Sequence, residues 1–400
     1  MSRCSARWLL MPLLALPACS SEPPASGRPS LLPTALSGAE EALASSAGNV
    51  LPVAVGGDLA EVNVPYVSVT LCEPGTTVCQ TIPHVQLDTG SSGLRLDARL
   101  VTLTLPPVTD AAGHAVGDCA SYGGGDAYWG AVVTADVVMG DETAAGVSVQ
   151  TIDASWSKAP NTCAGKATME AVNGYNGVLG IGPALSAPTL DAYYSCAGTC
   201  TATSAPAAPH DLENPVARLP RHHNGLVLTF PPVPAGGATE LTGAMILGLG
   251  TESNNTPPEA GLVTLQTDAQ GWLQARLGDV WHYSMIDSGT NSYDLPTSYG
   301  PIPSCGAGDP YLCPPTPLTL AVDVAGADQV PRATVALGIA DAAPLESSST
   351  LVYADLGEQW GGDTATTVIL GLPFFFGRSV YIGLAGESGP LGVGPLVAYH

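Results

Sequence analysis

The chain has 400 residues, 45% of them hydrophobic and only 12% charged, so it can bury a large core and falls outside the disordered class. Twelve Lys and Arg stand against 35 Asp and Glu, and the net charge of −23 leaves no basic face for nucleic acid. The 47 glycines and 36 prolines, with many valines and threonines, favour short strands and turns over long helices.

The first segment reads as targeting sequence rather than fold. Arg3 and Arg7 form a positive end, and Leu9 to Leu16 an apolar stretch too short to stay as a membrane span. Leu16-Pro17-Ala18-Cys19 resembles a bacterial lipobox. Residues 1–18 then form a signal peptide and Cys19 is the lipidated first mature residue, with ordinary cleavage near Ala18 as the alternative. Residues 19–50, rich in Ser, Pro, Ala and Gly, read as a flexible tether. The expectation is an exported protein, an outer-membrane or cell-surface lipoprotein in the periplasm or outside the cell. It should be a monomer that meets the membrane through its lipid alone.

Apart from Cys4 and Cys19, eight cysteines remain, which suits an oxidising compartment. Their spacing suggests local loops Cys72–Cys79, Cys196–Cys200 and Cys305–Cys313, leaving Cys119 with Cys163, one of about 105 possible pairings. A zinc site at Cys196 and Cys200 lacks a second close pair with histidine. No metal or other cofactor is expected.

In chain order, Val62 to Leu71 alternates as a strand does and leads into a hairpin turn at Cys72–Cys79. Val85-Gln86-Leu87 is the next strand and ends at Asp88-Thr89-Gly90-Ser91-Ser92, where Gly90 permits a sharp turn. Ser121-Tyr122-Gly123-Gly124-Gly125 is followed by Trp129-Gly130 and a strand-like run from Ala135 to Gly140. Val178-Leu179-Gly180 is a buried strand running into a glycine turn. His222-His223 reads as a solvated loop. Trp281 to Ile286 leads to Asp287-Ser288-Gly289-Thr290-Asn291. Ile369-Leu370-Gly371 then repeats the apolar-apolar-Gly pattern, and Phe374-Phe375-Phe376 reads as buried strand. Alone, an aspartate before Thr or Ser and Gly is usually a turn cap. Two such loops 199 residues apart (287 − 88), each followed by an apolar-apolar-Gly strand, suggest one carboxylate from each of two similar lobes.

These runs, in this order, resemble the pepsin-like (A1-type) aspartic proteases across roughly residues 60–400. The resemblance implies an all-β, bilobal fold with the active-site cleft between an N-terminal lobe over 51–225 and a C-terminal lobe over 226–400. It implies that Asp88 and Asp287 are the catalytic pair. Ser91 and Thr290 would hydrogen-bond their outer oxygens, while Thr89 and Ser288 tie the two loops together around Gly90 and Gly289. Tyr122, Gly123 and Gly125 would form the flap that covers substrate, with Tyr128 as the rival for Tyr122; core or turn packing is the plain alternative for that tyrosine. Two departures stand out: Arg95 occupies the place of a tryptophan that supports the flap tyrosine, and Asn291 that of a serine. The runs Val85–Leu96 and Gly371–Arg378 also resemble an uncharacterised bacterial family of exported lipoproteins, which brings no activity with it.

Paired carboxylates suit water activation. Two ionised carboxylates about 4 Å apart repel by roughly 4 kcal/mol at an effective dielectric near 20, or about three pKa units, so the pair keeps one proton. One member can act as base and the other as acid on a peptide bond, with no covalent intermediate. Gly-x-Ser-x-Gly and His-Glu-x-x-His are missing, which argues against the common serine-hydrolase and zinc-protease routes. A glycosidase carboxylate pair has no supporting motif. The expected function is an aspartic endopeptidase acting on a peptide or protein substrate. The competing reading is a catalytically inactive peptide- or protein-binding lipoprotein on the same scaffold.

Overall fold

The computed structural model describes residues 38–44, 47–59, 61–123, 127–161, 163, 174–187, 190–204, 211–300, 302–359 and 366–400. The signal segment 1–18, Cys19 and Gly125 lie outside them. The described residues are almost all β, as their composition predicts, with α1 (Gly38–Ala44) the one α-helix. Glu40 and Glu41 in its first turn suit the positive end of the helix, and Ala39 and Ala42 face inward against the strand Glu240–Leu247. This part of the stretch read as a tether is therefore a packed helix.

A fifteen-stranded sheet runs through both halves of the chain. Their join is β1 (Val50–Gly56), paired antiparallel with Glu240–Leu247 from Val50↔Ile246 to Gly56↔Glu240. β2 (Pro65–Cys72) and β3 (Cys79–Asp88) form the hairpin read from the sequence. β2 starts later than its alternating pattern because Asn63 turns the chain at φ 56°, a region asparagine tolerates. Its side-chain nitrogen donates to the carbonyls of Asn291 and Tyr353, 2.8 Å each, and its oxygen accepts from the Tyr353 amide at 2.8 Å. A loop of the first half is thereby fastened to the second.

β4 (Ser92–Asp97) follows the Asp88 loop. β5 (Ala115–Ser121) and β6 (Ala127–Met139) form a hairpin closed at Ser121↔Ala127, and β7 (Glu142–Ile152) pairs with β6. β8 (Gly177–Ile181) lies parallel to β3 and antiparallel to β4, and β9 (Asp191–Cys196) flanks β5. The second half repeats the central arrangement in a seven-stranded sheet. There Val280–Ile286 runs parallel to Thr367–Leu370, and Tyr293–Asp294 antiparallel to it. Such parallel strands, covered on both faces, read as continuous apolar runs, which is why Val178-Leu179 and Ile369-Leu370 stand out in the sequence.

The four disulfides are Cys72–Cys79, Cys119–Cys163, Cys196–Cys200 and Cys305–Cys313, the pairing the spacing suggested. Two local readings change. Leu372–Phe375 is a short 3-10 turn rather than a strand, because Pro373 cannot donate to a ladder but fits the start of a helical turn. Its phenylalanines are nonetheless buried: Phe375 packs edge-on to Phe230, ring centres 6.4 Å apart, and Phe374 to Tyr399 at 5.0 Å. His222 is buried rather than solvated; its Nδ1 lies 2.7 Å from the Thr251 hydroxyl and its backbone N–H donates to Glu142, while His223 is half-buried. Phe375→Ala empties a fully enclosed site and should cost about 3–5 kcal/mol of unfolding free energy, measurable by urea titration.

Candidate active site

Both aspartates sit where a buried strand ends. Asp88 closes β3, beside Gly180 of β8, and Asp287 follows Ile286 with its amide donating to the Leu370 carbonyl at 2.9 Å. In each loop the carboxylate is held by the two groups that follow it. The Gly90 amide donates to Asp88 Oδ1 at 2.7 Å, and Ser91 Oγ donates to Asp88 Oδ2. The Gly289 amide donates to Asp287 Oδ1 at 2.8 Å, and Thr290 Oγ1 to Asp287 Oδ2 at 2.7 Å.

The two loops are locked to each other through Thr89 and Ser288. Thr89 Oγ1 donates to the Ile286 carbonyl at 2.9 Å and accepts from the Ser288 amide at 2.9 Å. Ser288 Oγ donates to the Leu87 carbonyl at 2.7 Å and accepts from the Thr89 amide at 3.2 Å. Each hydroxyl thus serves the opposite loop in the same way. Gln86, a polar position in β3 that the sequence reading passed over, adds a bond from Nε2 to the Gly289 carbonyl at 2.9 Å.

This lock presses each glycine against the opposite carboxyl. A Cβ added at Gly90 would lie 2.6 Å from Asp287 Cγ, and one at Gly289 would lie 2.6 Å from Asp88 Oδ1. No side chain fits at either place, so glycine is required by space rather than by backbone angle. Asp88 is 6% exposed. Burial holds its carboxyl well above the usual carboxylate range, reinforced by the negative charge of Asp287 and a hydrogen bond with that carboxyl; Ser91 and the Gly90 amide oppose the rise. A pair of this kind can hold one proton while its other oxygens accept one.

The carboxyls lie in a cleft of about 870 Å³ that is also lined by Tyr122, Gly123, Tyr128, Trp272 and Tyr283. Tyr122 and Gly123 follow β5 at the hairpin tip. Tyr122 packs on Tyr128 with ring centres 5.4 Å apart, and the Tyr128 hydroxyl lies 3.4 Å from that of Tyr175. Both candidate tyrosines therefore belong to one aromatic group at the cleft wall. Trp272 and Tyr283, rings 6.1 Å apart, form a wall in the second half; Tyr283 is 61% exposed, and neither carried a sequence signal beyond being aromatic.

Asn291 is a peg between loops. Its Nδ2 donates to the Tyr311 hydroxyl at 3.0 Å, and burial pushes that phenol up to about 12. Arg95 is enclosed completely and donates to Asp191 Oδ1 at 2.5 Å. Asp191 was not singled out in the sequence, since 96 residues separate it from its partner. Among the described residues, Cys305, Cys313 and Asp341 come close enough together to suggest a cation site, but both sulfurs are committed to a disulfide.

The raised affinity of Asp88 for its proton sets the sign of a stability effect. Folding binds the proton more tightly, so this contribution is complete below the unfolded carboxylate value of about 3.9 and is lost as pH rises toward the higher folded one. Asp88→Asn removes the titration. Above about pH 4 the unmodified chain should lose unfolding free energy relative to Asp88→Asn, as denaturant titrations at successive pH values would read. Parallel stability curves would contradict the coupling.

Comparison with curated proteins finds no match to the chain. Residues 45–399 match the family described as protein of unknown function (DUF3443), and the chain belongs to that family.

Proposed function

We propose that the chain is an aspartic endopeptidase with a pepsin-like, two-lobed fold, whose Asp88/Asp287 pair activates water for peptide-bond hydrolysis. The observation that carries the reading is the reciprocal Thr89–Ser288 lock, which sets Gly90 against the Asp287 carboxyl and Gly289 against that of Asp88. A turn-capping aspartate needs no partner loop, no matched hydroxyl and no glycine cleared for another carboxyl. The twofold repetition of parallel Asp-strand, apolar-Gly strand and antiparallel return strand supports the lobed architecture.

In this reading the pair shares one proton and holds a water between its oxygens. The ionised carboxylate takes a proton from that water as its oxygen attacks the scissile carbonyl. The protonated carboxyl donates to the carbonyl oxygen, giving a neutral tetrahedral diol. Collapse reverses the roles: the amine leaves with a proton and the pair regains its starting charge. Ser91 and Thr290 keep the outer oxygens occupied, so the inner ones face the substrate. Tyr122 and Gly123 line the cleft, and in this reading their hairpin limits bulk water.

The test is cleavage of a diverse peptide library between about pH 3 and 7 by the chain lacking its first 18 residues, by Asp88→Asn and by Asp287→Asn. Each variant should lose roughly 10²–10⁴-fold in kcat, because general acid–base chemistry is removed while folding is kept. Undiminished cleavage in both variants would falsify the pair. A folded chain that cuts no peptide would point instead to peptide binding without catalysis.

The export reading goes with this function. Cys19 anchors the enzyme through lipid, and the four disulfides suit an oxidising compartment. Fatty-acid labelling of the full chain in a bacterial host should be abolished by Cys19→Ala; label that persists would exclude this anchor.

A further inference from the structure

Arg95 is the largest fully buried side chain among the described residues, and it carries a charge. It projects from β4, three residues after Ser92, toward Asp191 of β9, the strand that flanks β5. One guanidinium nitrogen donates to the Ser92 carbonyl at 2.9 Å and another to Asp191 Oδ1 at 2.5 Å; both side chains of this ion pair are almost entirely enclosed. Asp191 belongs to β9, in register with Ala120 of β5, and the Ser121 amide donates to the Leu190 carbonyl at 2.9 Å. The pair is thus anchored on one side in the Asp88 loop and on the other in the strand that leads to Tyr122.

The guanidinium carbon of Arg95 lies 6.0 Å from the centre of the Tyr122 ring, within reach of a cation–π contact. Tyr122 lines the same cleft as Asp88, and its phenol is pushed up by burial, opposed by the charge of Arg95 and aided by that of Asp88. Asp118 of β5 completes the surroundings. It is fully enclosed, and its carboxyl is held well above the usual range by burial and by the charge of Asp191. Tyr193 lies at the far side of Asp191, its hydroxyl 3.5 Å from Oδ2.

A buried ion pair is a poor device for stability. Its desolvation offsets most of its attraction, and well-packed apolar residues usually do as well or better. What it offers here is direction: a flat, permanently charged group gripped from two strands and presented to one face of an aromatic ring. We propose that Arg95, clamped by Asp191, is a positioning residue that sets Tyr122 over the Asp88 loop. It does not touch substrate; it acts through the tyrosine. The proposal rests on the hydrolytic reading for its kinetic consequence, but not for the placement of the ring.

The experiment places 3-fluorotyrosine at position 122 and compares the unmodified chain with Arg95→Met/Asp191→Leu, which removes both charges together, and with Arg95→Lys, which keeps the charge but loses the planar fork. Fluorine NMR reads the ring, peptide cleavage reads kcat and KM, and thermal melting reads the fold. The double variant should melt near the unmodified chain, shift or broaden the Tyr122 resonance, and lose about ten- to a hundredfold in kcat/KM, as misplacement of a covering group does. Arg95→Lys should fall between the two, and it carries the same readouts if the double variant does not fold.

An unchanged Tyr122 resonance in a folded variant would overturn the proposal, as would unchanged kcat/KM beside an altered resonance. A lowered melting point with both other readouts unchanged would make the pair purely structural. If the unmodified chain cuts no peptide, the hydrolytic reading falls, and the fluorine resonance alone decides whether Arg95 places the ring.

Discussion

Four hydrogen bonds made by Thr89 and Ser288 hold the two aspartate loops together at the centre of this molecule. Each hydroxyl accepts from the amide of the other residue and donates to a carbonyl just before the opposite aspartate. Both side chains are buried, so every polar group in the exchange has to be matched. The exchange works only if the two loops have the same shape and meet about a local twofold. Remove one hydroxyl and a buried amide on the other loop loses its acceptor. The repeated strand order on either side follows from this demand, because each loop must leave its sheet in the same direction.

The same lock governs the electrostatics. It brings two carboxyls into one enclosed volume, where burial and mutual charge raise the proton affinity of Asp88. A surface pair with the same residues would gain little, since water would screen it. Enclosure also explains the glycines. Gly180 and Gly371 pass behind the two loops, and a Cβ on Gly180 would lie 2.7 Å from the Ser92 backbone. The apolar-apolar-Gly strands are therefore spacers that allow loops to pack closely. A third level is the polar support beneath the hairpin, where Arg95 and Asp191 join the Asp88 loop to the strand before Tyr122. The geometry of the Asp88 loop and that of the hairpin share one buried anchor.

Several features were legible because their signals are local. Val85 to Ser92 and Trp281 to Thr290 carry their roles in consecutive residues, since a carboxylate is held by the amide two residues on and the hydroxyl three residues on. The short disulfides were legible for the same reason: seven, four and eight residues separate their partners. Where the reading failed, the cause was non-local. His222 looked solvated because nothing beside it in sequence shows that Glu142 and Thr251 close over it. The phenylalanine run is buried, as its apolar character suggests, but Pro373 makes Leu372–Phe375 a 3-10 turn. α1 sits in a stretch whose composition suggests only a tether, yet Ala39 and Ala42 are buried and Leu43 packs beside them.

The sequence by itself determined the β class, the local cysteine pairs and the two aspartate loops with their supporting hydroxyls, because short-range bonding within a few residues encodes them. Only the tertiary structure decided which loop meets which, how closely Gly90 and Gly289 approach the opposite carboxyls, and that Asn63 and Asn291 fasten one half to the other. It alone decided that Arg95 is a buried cation paired with Asp191 below Tyr122. Such contacts join residues from about 30 to more than 200 positions apart, and their free energy exists only after both partners have been buried together.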